Sequence, residues 1–244
     1  MTLWPFVKLL SKFQFKYAIE LLFWRRELSV YNRWYDGKIA SLYGITPPRE
    51  AEKITDYRRN QNSVLTWTKM DFEKYLKHLK LHPERFKNMK VLDVGCGPVP
   101  YALVFRDCEM YGVDPLISYY RDIGYPMHFD QREMRYIDSP IEAIPVEDDY
   151  FDAVISVNAL DHVDDFYKAS EEINRVLKPD GLLVFEIHSH EPRVGHPWKI
   201  TTEMIQESFG DRGITKVYEN DYSFFYSEKD KDELLSVWSN AHMN

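Results

Sequence analysis

Two glycines and two carboxylates near the middle of the chain have the spacing of a nucleoside-binding site. Gly95 and Gly97 flank Cys96 directly after an apolar run, and Asp93 lies two residues before the first glycine. Glycine permits a tight turn and lets a ligand approach the backbone, because it has no Cβ. Asp114 ends the next apolar run, where an acid can accept hydrogen bonds from both ribose hydroxyls or serve as a helix N-cap.

The residues around this turn distinguish two classes of nucleotide. A dinucleotide fingerprint needs Gly or Ala at its third glycine position, so that a helix N-terminus meets a pyrophosphate. The chain has Pro100 at that position. A carboxylate at Asp93 would repel a pyrophosphate but can accept hydrogen bonds from an ammonium group. The pattern therefore favours a nucleoside that carries an ammonium group and no phosphates.

Histidines near two later strand ends are candidates for acid–base chemistry, because a neutral imidazole can accept a proton near pH 7. His162 follows the apolar run 153–156 and is interpreted as a catalytic base, a metal ligand or a structural residue. His188 and His190 are two apart, so they share a face on an extended segment. Together with His196 they form either an acid–base or metal site, or a polar loop that faces water.

Three zones of the chain supply the elements that must position these residues. Residues 89–227 alternate short β-branched runs with amphipathic helices, which predicts βαβ units and a parallel sheet in an α/β core. Residues 1–88 are helix-like and form an N-terminal extension or cap. Residues 228–244 have two leucines and a tryptophan at helical spacing, which predicts a C-terminal helix.

The opening helix has two interpretations. Residues 1–26 carry apolar side chains at helical spacing, and three lysines four residues apart share one face. Such a helix either lies in a membrane interface as a peripheral contact, or packs on the catalytic core or a second copy with its lysines solvated.

Composition narrows the class of protein. The chain has 244 residues, a net charge of -8 and two cysteines. The acidic balance disfavours a broad nucleic-acid-binding face, and the cysteine usage is typical of a reducing cytoplasm. No apolar run is long enough to span a bilayer. Aromatic residues make up 15% of the chain, which indicates a bulky core, an aromatic-lined pocket or an interfacial helix.

Five ordered motifs resemble those of the class I S-adenosylmethionine (SAM)-dependent methyltransferases, particularly the type 11 group. The first two motifs are residues 91–97 (VLDVGCG) and residues 111–115 (YGVDP). Residues 141–152 (IEAIPVEDDYFD) are similar to the stretch before the fourth strand, and residues 158–163 (NALDHV) to the motif after it. Residues 175–184 (RVLKPDGLLV) are similar to the approach to the fifth strand. Each motif alone is modest, but the ordered set is specific.

The resemblance covers roughly residues 89–190 and implies a Rossmann-like, doubly wound α/β fold. The sheet of this family has seven strands and is mostly parallel, with an antiparallel last strand. Residues 214–226 contain two β-rich runs, which we expect to form the terminal hairpin.

The resemblance also implies a SAM-binding site. The glycine turn would face the methionine part of SAM, and Asp93 would anchor its amino group. Asp114 would bind the ribose. Ile141 and Glu142 would flank the adenine, and Asn158 would close the pocket from beneath. The full set of expected cofactor-binding residues is Asp93, Gly95, Cys96, Gly97, Asp114, Pro115, Ile141, Glu142 and Asn158.

A second resemblance concerns metal. Asn158, Asp161 and His162 resemble the Glu-x-x-Glu-His metal motif of some O-methyltransferases, including those of ubiquinone synthesis. A divalent metal there would polarise the acceptor hydroxyl. Asn158 replaces a charged ligand and Asp161 is shorter than glutamate, so the sequence leaves metal use open. The catalytic candidates are His162, His188 and His190.

We therefore expect a cytoplasmic SAM-dependent methyltransferase that modifies a hydroxyl of a small molecule, sugar or glycan. A lipid-linked acceptor follows if residues 1–26 contact a membrane, which would make the protein membrane-peripheral. Two other classes stay open: an NAD(P)-dependent oxidoreductase on a related sheet, and a catalytically inactive methyltransferase fold that serves as a partner protein. The acceptor is recognised by elements outside the motifs, whose sequences do not transfer between proteins.

Overall fold

The computed structural model describes residues 15–35, 74–79, 81–99, 101–123, 134–192, 195–212, 214–220 and 233–239. The strands found in these residues are β1 (Lys90–Val94), β2 (Glu109–Val113), β3 (Met134–Ile137), β4 (Phe151–Val157), β5 (Leu177–Ser189), β6 (Ile214–Asn220) and β7 (Glu233–Ser239). They form one sheet in the order β3-β2-β1-β4-β5-β7-β6. β1 to β5 pair in parallel, whereas β7 runs antiparallel to both β5 and β6. The predicted α/β class is confirmed.

Helices cover both faces of this sheet. They are α1 (Phe15–Tyr35), α2 (Lys74–Leu79), α3 (Ile117–Ile123), α4 (Phe166–Val176) and α5 (Thr202–Phe209). Successive residues of a strand point to opposite faces. Accordingly, Val91 of β1 packs in a cluster with α1, α2 and α3, while Leu92 packs in a second cluster with α4 and α5. After the half-buried Lys90, β1 is buried on both sides, so its remaining residues are apolar with one exception, Asp93.

The position of β1 determines where a ligand can bind. β1 pairs with β2 on one side and with β4 on the other, so the chain reverses its direction of progress across the sheet there. In open parallel sheets, ligands bind outside the carboxyl ends of the strands at this switch point. The glycine turn after β1 lies at that place.

Helix α1 packs on the sheet, as one of the two interpretations of the opening helix predicts. Ala18, Leu21 and Leu28 are buried on the side that faces the core, at the spacing of one helical stripe. Lys16 is not merely solvated, because its ammonium pairs with the carboxylate of Asp164. Residues 1–14, 36–73 and 80 of the predicted extension 1–88 lie outside the described residues. No helix among the described residues is long and apolar enough to cross a membrane.

The predicted C-terminal helix over residues 228–244 is wrong. Residues Glu233–Ser239 form strand β7, which inserts between β5 and β6. Without β7, the backbone N–H and C=O groups along the edge of β5 would lack partners, and pairing with them outweighs the helical spacing of the side chains. The terminal hairpin is therefore longer than expected, since only its first strand, Ile214–Asn220, falls within residues 214–226.

Candidate active site

The turn after β1 depends on glycine for two separate reasons. Gly95 has a φ of 70° and Gly97 has a φ of 59°, in the left-handed region where a side chain is strained. A Cβ on Gly95 would also lie 2.2 Å from the Cβ of Ala159. The backbone N–H of Gly95 donates to the carbonyl of Val113 at 2.8 Å, which folds the turn towards the end of β2. Gly95 and Gly97 therefore leave backbone without a side chain at two positions at the carboxyl end of β1.

Asp114 ties this turn to the segment that follows β2. One carboxylate oxygen accepts the backbone N–H of Gly97 at 3.0 Å, and the other accepts that of Leu116 at 2.8 Å. Burial raises the pKa of Asp114 to about 7, and the two backbone donors only partly offset that rise. A buried carboxylate held by backbone donors is positioned to accept hydrogen bonds from a bound hydroxyl group.

A cavity opens along the carboxyl ends of β1, β2 and β4, and most predicted cofactor residues line it. Those on its wall are Gly95, Cys96, Gly97, Asp114, Pro115, Ile141, Glu142 and Asn158, together with His162. Helix α1 forms the opposite wall with Tyr17, Glu20 and Trp24. The sequence did not identify these three residues, because nothing in their local pattern relates them to a turn some 70 positions later.

The charges on the cavity wall favour one kind of nucleoside. Glu20, Asp114 and Glu142 contribute carboxylates, and no lysine or arginine of the described residues lines the cavity. Carboxylates attract ammonium and sulfonium groups and accept hydrogen bonds from ribose hydroxyls, whereas they repel a pyrophosphate. The wall therefore fits a cationic, hydroxylated nucleoside and opposes a dinucleotide.

His162 brings titratable chemistry to the cavity wall. Its Nδ1 lies 3.3 Å from Oε2 of Glu20, and its Nε2 lies 3.7 Å from Oδ2 of Asp161. Burial alone would lower the pKa of His162, but the carboxylates of Glu20 and Asp161 outweigh it and raise that pKa. The Glu20 contact leaves the Nε2 lone pair available in the neutral tautomer that carries its proton on Nδ1.

Behind His162, two further histidines converge on the same carboxylate. Nε2 of His190 lies 3.2 Å from Oδ2 of Asp161, and Nδ1 of His196 lies 2.6 Å from that oxygen. His190 is buried and His196 is half-buried, so the interpretation of this loop as water-facing histidines is wrong for both. Burial alone would raise the pKa of Asp161, but the surrounding imidazoles lower it well below its usual range, so its carboxylate is ionised.

Comparison with known proteins identifies the family. The methyltransferase domain family matches residues 92–185, the segment from β1 to β5. A malonyl-[acyl-carrier protein] O-methyltransferase from Enterobacter lignolyticus is 30% identical over 169 residues, which cover 68% of this chain and 60% of that protein. The segment from β1 to β5 is therefore a methyltransferase domain of the class I SAM-dependent type. The chain spans less than two thirds of the length of this relative.

Solved structures support the same fold for this chain. A SAM-dependent methyltransferase from Thermotoga maritima superposes with a TM-score of 0.51 at 19% identity, covering 76% of this chain and 98% of that one. The [4+2]-cyclase SpnF superposes with a TM-score of 0.52 at 15% identity, covering 72% of this chain and 82% of that one. Likeness at these identities shows the fold alone. SAM is the expected cofactor of the methyltransferase, and the carboxylate-lined cavity fits it.

The position of Asp93 differs from the expectation that it anchors the amino group of SAM directly. Within the described residues, the cavity wall includes Tyr75 of α2 but not Asp93. The Tyr75 hydroxyl donates to the Asp93 carboxylate, with distances of 3.1 and 3.2 Å to its two oxygens. Asp93 is fully buried, so it is one layer further from the cavity than the predicted anchor of the SAM amino group. The hydrogen bond from Tyr75 connects Asp93 to the cavity wall.

Three other predicted cofactor residues line the cavity, and each also has a distinct local role. Oε1 of Glu142 accepts the backbone N–H groups of Asp164 and Asp165 at 2.6 and 3.0 Å, which holds the segment after β4. Asn158 has a φ of 55° and turns the chain at the end of β4. Burial raises the pKa of the Cys96 thiol, so Cys96 contributes a neutral wall and no nucleophile.

The structure separates the three catalytic candidates of the methyltransferase. His162 lines the cavity, whereas His190 lies behind it against Asp161. β5 includes His188 and ends at Ser189, but the side chain of His188 lies outside the described part of the structure. Asp161 and Glu20 were not among the catalytic candidates. Only Asp161, next to His162 in the chain, had a sequence signal that singled it out.

Proposed function

We propose that this chain transfers a methyl group from SAM to a hydroxyl of a neutral small molecule, sugar or glycan. The observation that carries the proposal is the Glu20–His162 pair on the cavity wall, with 3.3 Å between Oε2 and Nδ1. A hydroxyl acceptor benefits from a positioned base, whereas many amines need only alignment. The relative from Enterobacter lignolyticus is named an O-methyltransferase, which agrees with this choice of acceptor atom.

The side chains divide the work of this reaction. When bound, SAM supplies a methyl carbon whose bond to sulfur breaks as its bond to the acceptor oxygen forms, leaving a neutral thioether. His162 takes up the hydroxyl proton, and the carboxylates of Glu20 and Asp161 stabilise the resulting imidazolium. Helix α1 covers the cavity with Tyr17 and Trp24, which limits access of water to the reacting atoms.

The proposed acceptor class follows from the same wall. Tyr17, Trp24 and Tyr101 contribute aromatic surface near the carboxylate of Glu20. Aromatic faces pack on apolar ring surfaces, and carboxylates accept hydrogen bonds from hydroxyl groups. Because no described lysine or arginine lines the cavity, an anionic acceptor would lack a counter-charge.

A labelled-methyl transfer assay tests the proposal. The full chain is incubated with methyl-labelled SAM and a cell extract, and the products are separated into lipid, glycan, protein, nucleic-acid and small-molecule fractions. We expect label in an oxygen-linked methyl group of a neutral hydroxylated product. His162→Gln should reduce transfer but retain SAM binding, and His82→Gln, an exposed histidine away from the cavity, should match the wild type.

Two results would oppose the proposal. Label confined to nitrogen would remove the need for the Glu20–His162 pair. Tight SAM binding without transfer to any fraction would favour an inactive partner protein. Calorimetric titration with SAM and with NAD distinguishes both of these outcomes from an oxidoreductase, because only an oxidoreductase should bind NAD.

We further propose that the outer face of α1 contacts a lipid surface, so that a lipid-linked acceptor can reach the cavity. Leu22 and Phe23 are 54% and 50% exposed, and Ile19 is 38% exposed next to them. These side chains point away from the cavity wall that the same helix forms. A cytoplasmic, membrane-peripheral location belongs to the same proposal, and a content of two cysteines in 244 residues agrees with a reducing compartment.

Liposome co-sedimentation tests the lipid contact. Deleting α1 would also remove Tyr17, Glu20 and Trp24, so the sharper variant is Leu22→Ser with Phe23→Ser. We expect it to lose binding to vesicles while SAM affinity stays unchanged. Tyr167→Ser, which removes an exposed aromatic side chain from α4, is the matched control. Equal sedimentation of all three proteins would contradict the lipid contact and leave the proposed reaction intact.

A further inference from the structure

The carboxylate of Asp161 has an uneven set of neighbours. Three imidazole nitrogens approach its Oδ2: Nδ1 of His196 at 2.6 Å, Nε2 of His190 at 3.2 Å and Nε2 of His162 at 3.7 Å. Its Oδ1 is buried and has no hydrogen-bond partner among the described residues. The side chain is fully buried, so bulk water does not solvate that oxygen. A buried carboxyl oxygen without a hydrogen-bond partner is costly unless another group balances it.

We propose that Asp161, His162 and His196 bind a divalent transition-metal ion of the zinc type. One ligand atom from each side chain lies within 4.8 Å of the others, so a single ion can contact all three. Two imidazoles and one carboxylate suit zinc and its neighbours in the first transition row. Magnesium and calcium prefer oxygen ligands, so this donor set selects against them.

The surroundings of His162 support the proposal independently. A metal-bound histidine usually donates the N–H of its other ring nitrogen to a carboxylate or a carbonyl, which fixes the tautomer and the ring orientation. Nδ1 of His162 makes this contact with Glu20 at 3.3 Å, while Nε2 is directed towards Asp161. Glu20, His162 and the proposed ion would form a carboxylate–histidine–metal sequence.

His190 lies where an outer residue of such a site would be. Its Nδ1 is 2.9 Å from the carbonyl oxygen of Glu191, and its Nε2 faces Asp161. It therefore orients the carboxylate from the side opposite the cavity and is assigned as a positioning residue. The rings of His162 and His196 are 3.9 Å apart between centroids, a close approach that a shared cation between their nitrogens would stabilise.

This ligand set differs from the metal motif that the sequence resembles. That motif draws all its ligands from one short segment, and Asn158 would be one of them. Here the group contains no Asn158, and its third member, His196, comes from the segment after β5. The ligands therefore become neighbours only when the strands β4 and β5 pair.

The catalytic meaning of the ion rests on the proposed function. An ion beside His162 would be close to the cavity wall and would lower the pKa of an acceptor hydroxyl that binds to it. His162 would then act as a ligand, and the ion would take over its part in activating the hydroxyl. The binding site itself is independent of whether the chain transfers methyl groups.

Metal titration of the full chain tests the site directly. Protein treated with a chelator is titrated with Zn²⁺ alone by calorimetry, and with Co²⁺ while the visible absorption is recorded. We expect one ion per chain and the intense visible bands of a tetrahedral Co²⁺ site with nitrogen and oxygen ligands. Asp161→Asn and His196→Gln should each weaken Zn²⁺ binding roughly 100-fold or more. His82→Gln, which changes an exposed histidine outside the cluster, should bind Zn²⁺ as the wild type does.

Three outcomes would overturn the site: no Zn²⁺ binding by the wild type, equal binding by all variants, or equal binding of Zn²⁺ and Mg²⁺. SAM titration of the same variants shows whether each one is folded. Intact methyl transfer without metal binding would remove the metal site and leave the proposed function. If Zn²⁺ binding depends on Asp161 and His196 but the protein transfers no methyl group, the metal site stands and the proposed function is removed.

Discussion

The two sides of the cavity are built in different ways. The glycine side, formed by Gly95, Gly97 and Asp114, comes from one short stretch of chain and is held by backbone hydrogen bonds. The histidine side, formed by Glu20, Asp161, His162, His190 and His196, combines side chains from α1, the turn after β4 and the segment after β5. The first side is held mainly by hydrogen bonds to backbone groups, and the second is held by contacts between titratable side chains.

This difference explains how one fold serves many reactions. Backbone geometry at the end of β1 needs only glycine and the pairing of β1 with its neighbours, so it suits a cofactor that is common to a family. The histidine side can be exchanged residue by residue without disturbing the sheet. We therefore expect substitutions on the glycine side to abolish cofactor binding, and those on the histidine side to slow the reaction while the cofactor still binds.

The largest effect is expected from Gly95→Ala. The new Cβ would lie 2.2 Å from the Cβ of Ala159 at a φ of 70°, so the turn must shift. Strain and overpacking of this kind cost about 3 kcal/mol together. We expect SAM affinity to fall at least about 100-fold, measured by calorimetry, with a lower midpoint of thermal unfolding.

Gly195→Ala is the matched control for this substitution. Gly195 has a φ of 87°, but a Cβ there would meet nothing within 4 Å. The Gly195→Ala substitution should lower the free energy of unfolding by about 1 kcal/mol through backbone strain alone, and it should leave SAM affinity unchanged. Equal loss of SAM binding in both variants would show that the steric contact with Ala159 does not determine the turn.

Glu20→Gln should produce the largest effect on the histidine side. The amide keeps the size of the side chain but cannot stabilise an imidazolium at His162, whose Nδ1 lies 3.3 Å away. We expect kcat for methyl transfer to fall roughly 10- to 100-fold, with little change in SAM affinity. Steady-state kinetics and SAM titration on the same preparation separate the two effects.

Glu171→Gln, on the exposed face of α4, is the control for the loss of a carboxylate. A Glu20→Gln variant that loses SAM binding but keeps kcat would erase the distinction between the two sides. Glu20 would then belong to the cofactor-binding wall alone.

The same distinction sets what the sequence could predict. Strands β1, β2, β4 and β5 and the glycine side follow from apolar runs, turn residues and spacing over a few positions, whereas β3 was not identified as a run of its own. Eight of the nine predicted cofactor residues line the cavity for this reason, since each lies directly after a strand or in the turn before β4. Asp93 is the exception, because its side chain points into the layer behind the turn, where Tyr75 meets it.

The histidine side depended on contacts that no local pattern encodes. His196 meets Asp161 only because β4 and β5 pair and the segment after β5 returns towards the turn after β4. Glu20 reaches His162 because α1 packs on the core through Ala18 and Leu21, which holds the neighbouring face of the helix over the cavity. Strand β7 was missed for a related reason, since the free edge of β5 decides its conformation.

A change of pH should affect the glycine side in a specific direction. Burial raises the pKa of Asp114 to about 7, so its carboxyl group becomes protonated as the pH falls below that value. A protonated carboxyl is a weaker acceptor for ribose hydroxyls and no longer attracts a cationic ligand. We expect SAM affinity to fall about tenfold between pH 8 and pH 6, measured by calorimetry.

Asp114→Asn should bind SAM weakly at pH 8 and lose this pH dependence. Asp180→Asn, at an exposed position of β5, should keep the wild-type profile. A pH profile that survives in Asp114→Asn would assign the titration to another group and exclude Asp114 as its origin.

The smallest effect is expected from Tyr75→Phe, which probes the layer behind the glycine side. The hydroxyl donates to Asp93 from within a buried environment, and burial raises the pKa of Tyr75 well above its usual value, so it stays a neutral donor. Its loss should lower the free energy of unfolding by about 1 kcal/mol. Tyr167→Phe removes an exposed hydroxyl that donates to Glu207, and it should leave the free energy of unfolding almost unchanged.

SAM binding by Tyr75→Phe decides what Asp93 does. If Asp93 positions Tyr75 and does not contact the cofactor, affinity should change only a few-fold, because the aromatic ring and its stacking on Tyr101 remain. A loss comparable to that of Gly95→Ala would mean that the Tyr75 hydroxyl and Asp93 hold the amino group of SAM together. The glycine side would then depend on a network of side chains, as the histidine side does. The two sides of the cavity would differ only in how much of each is held by backbone hydrogen bonds.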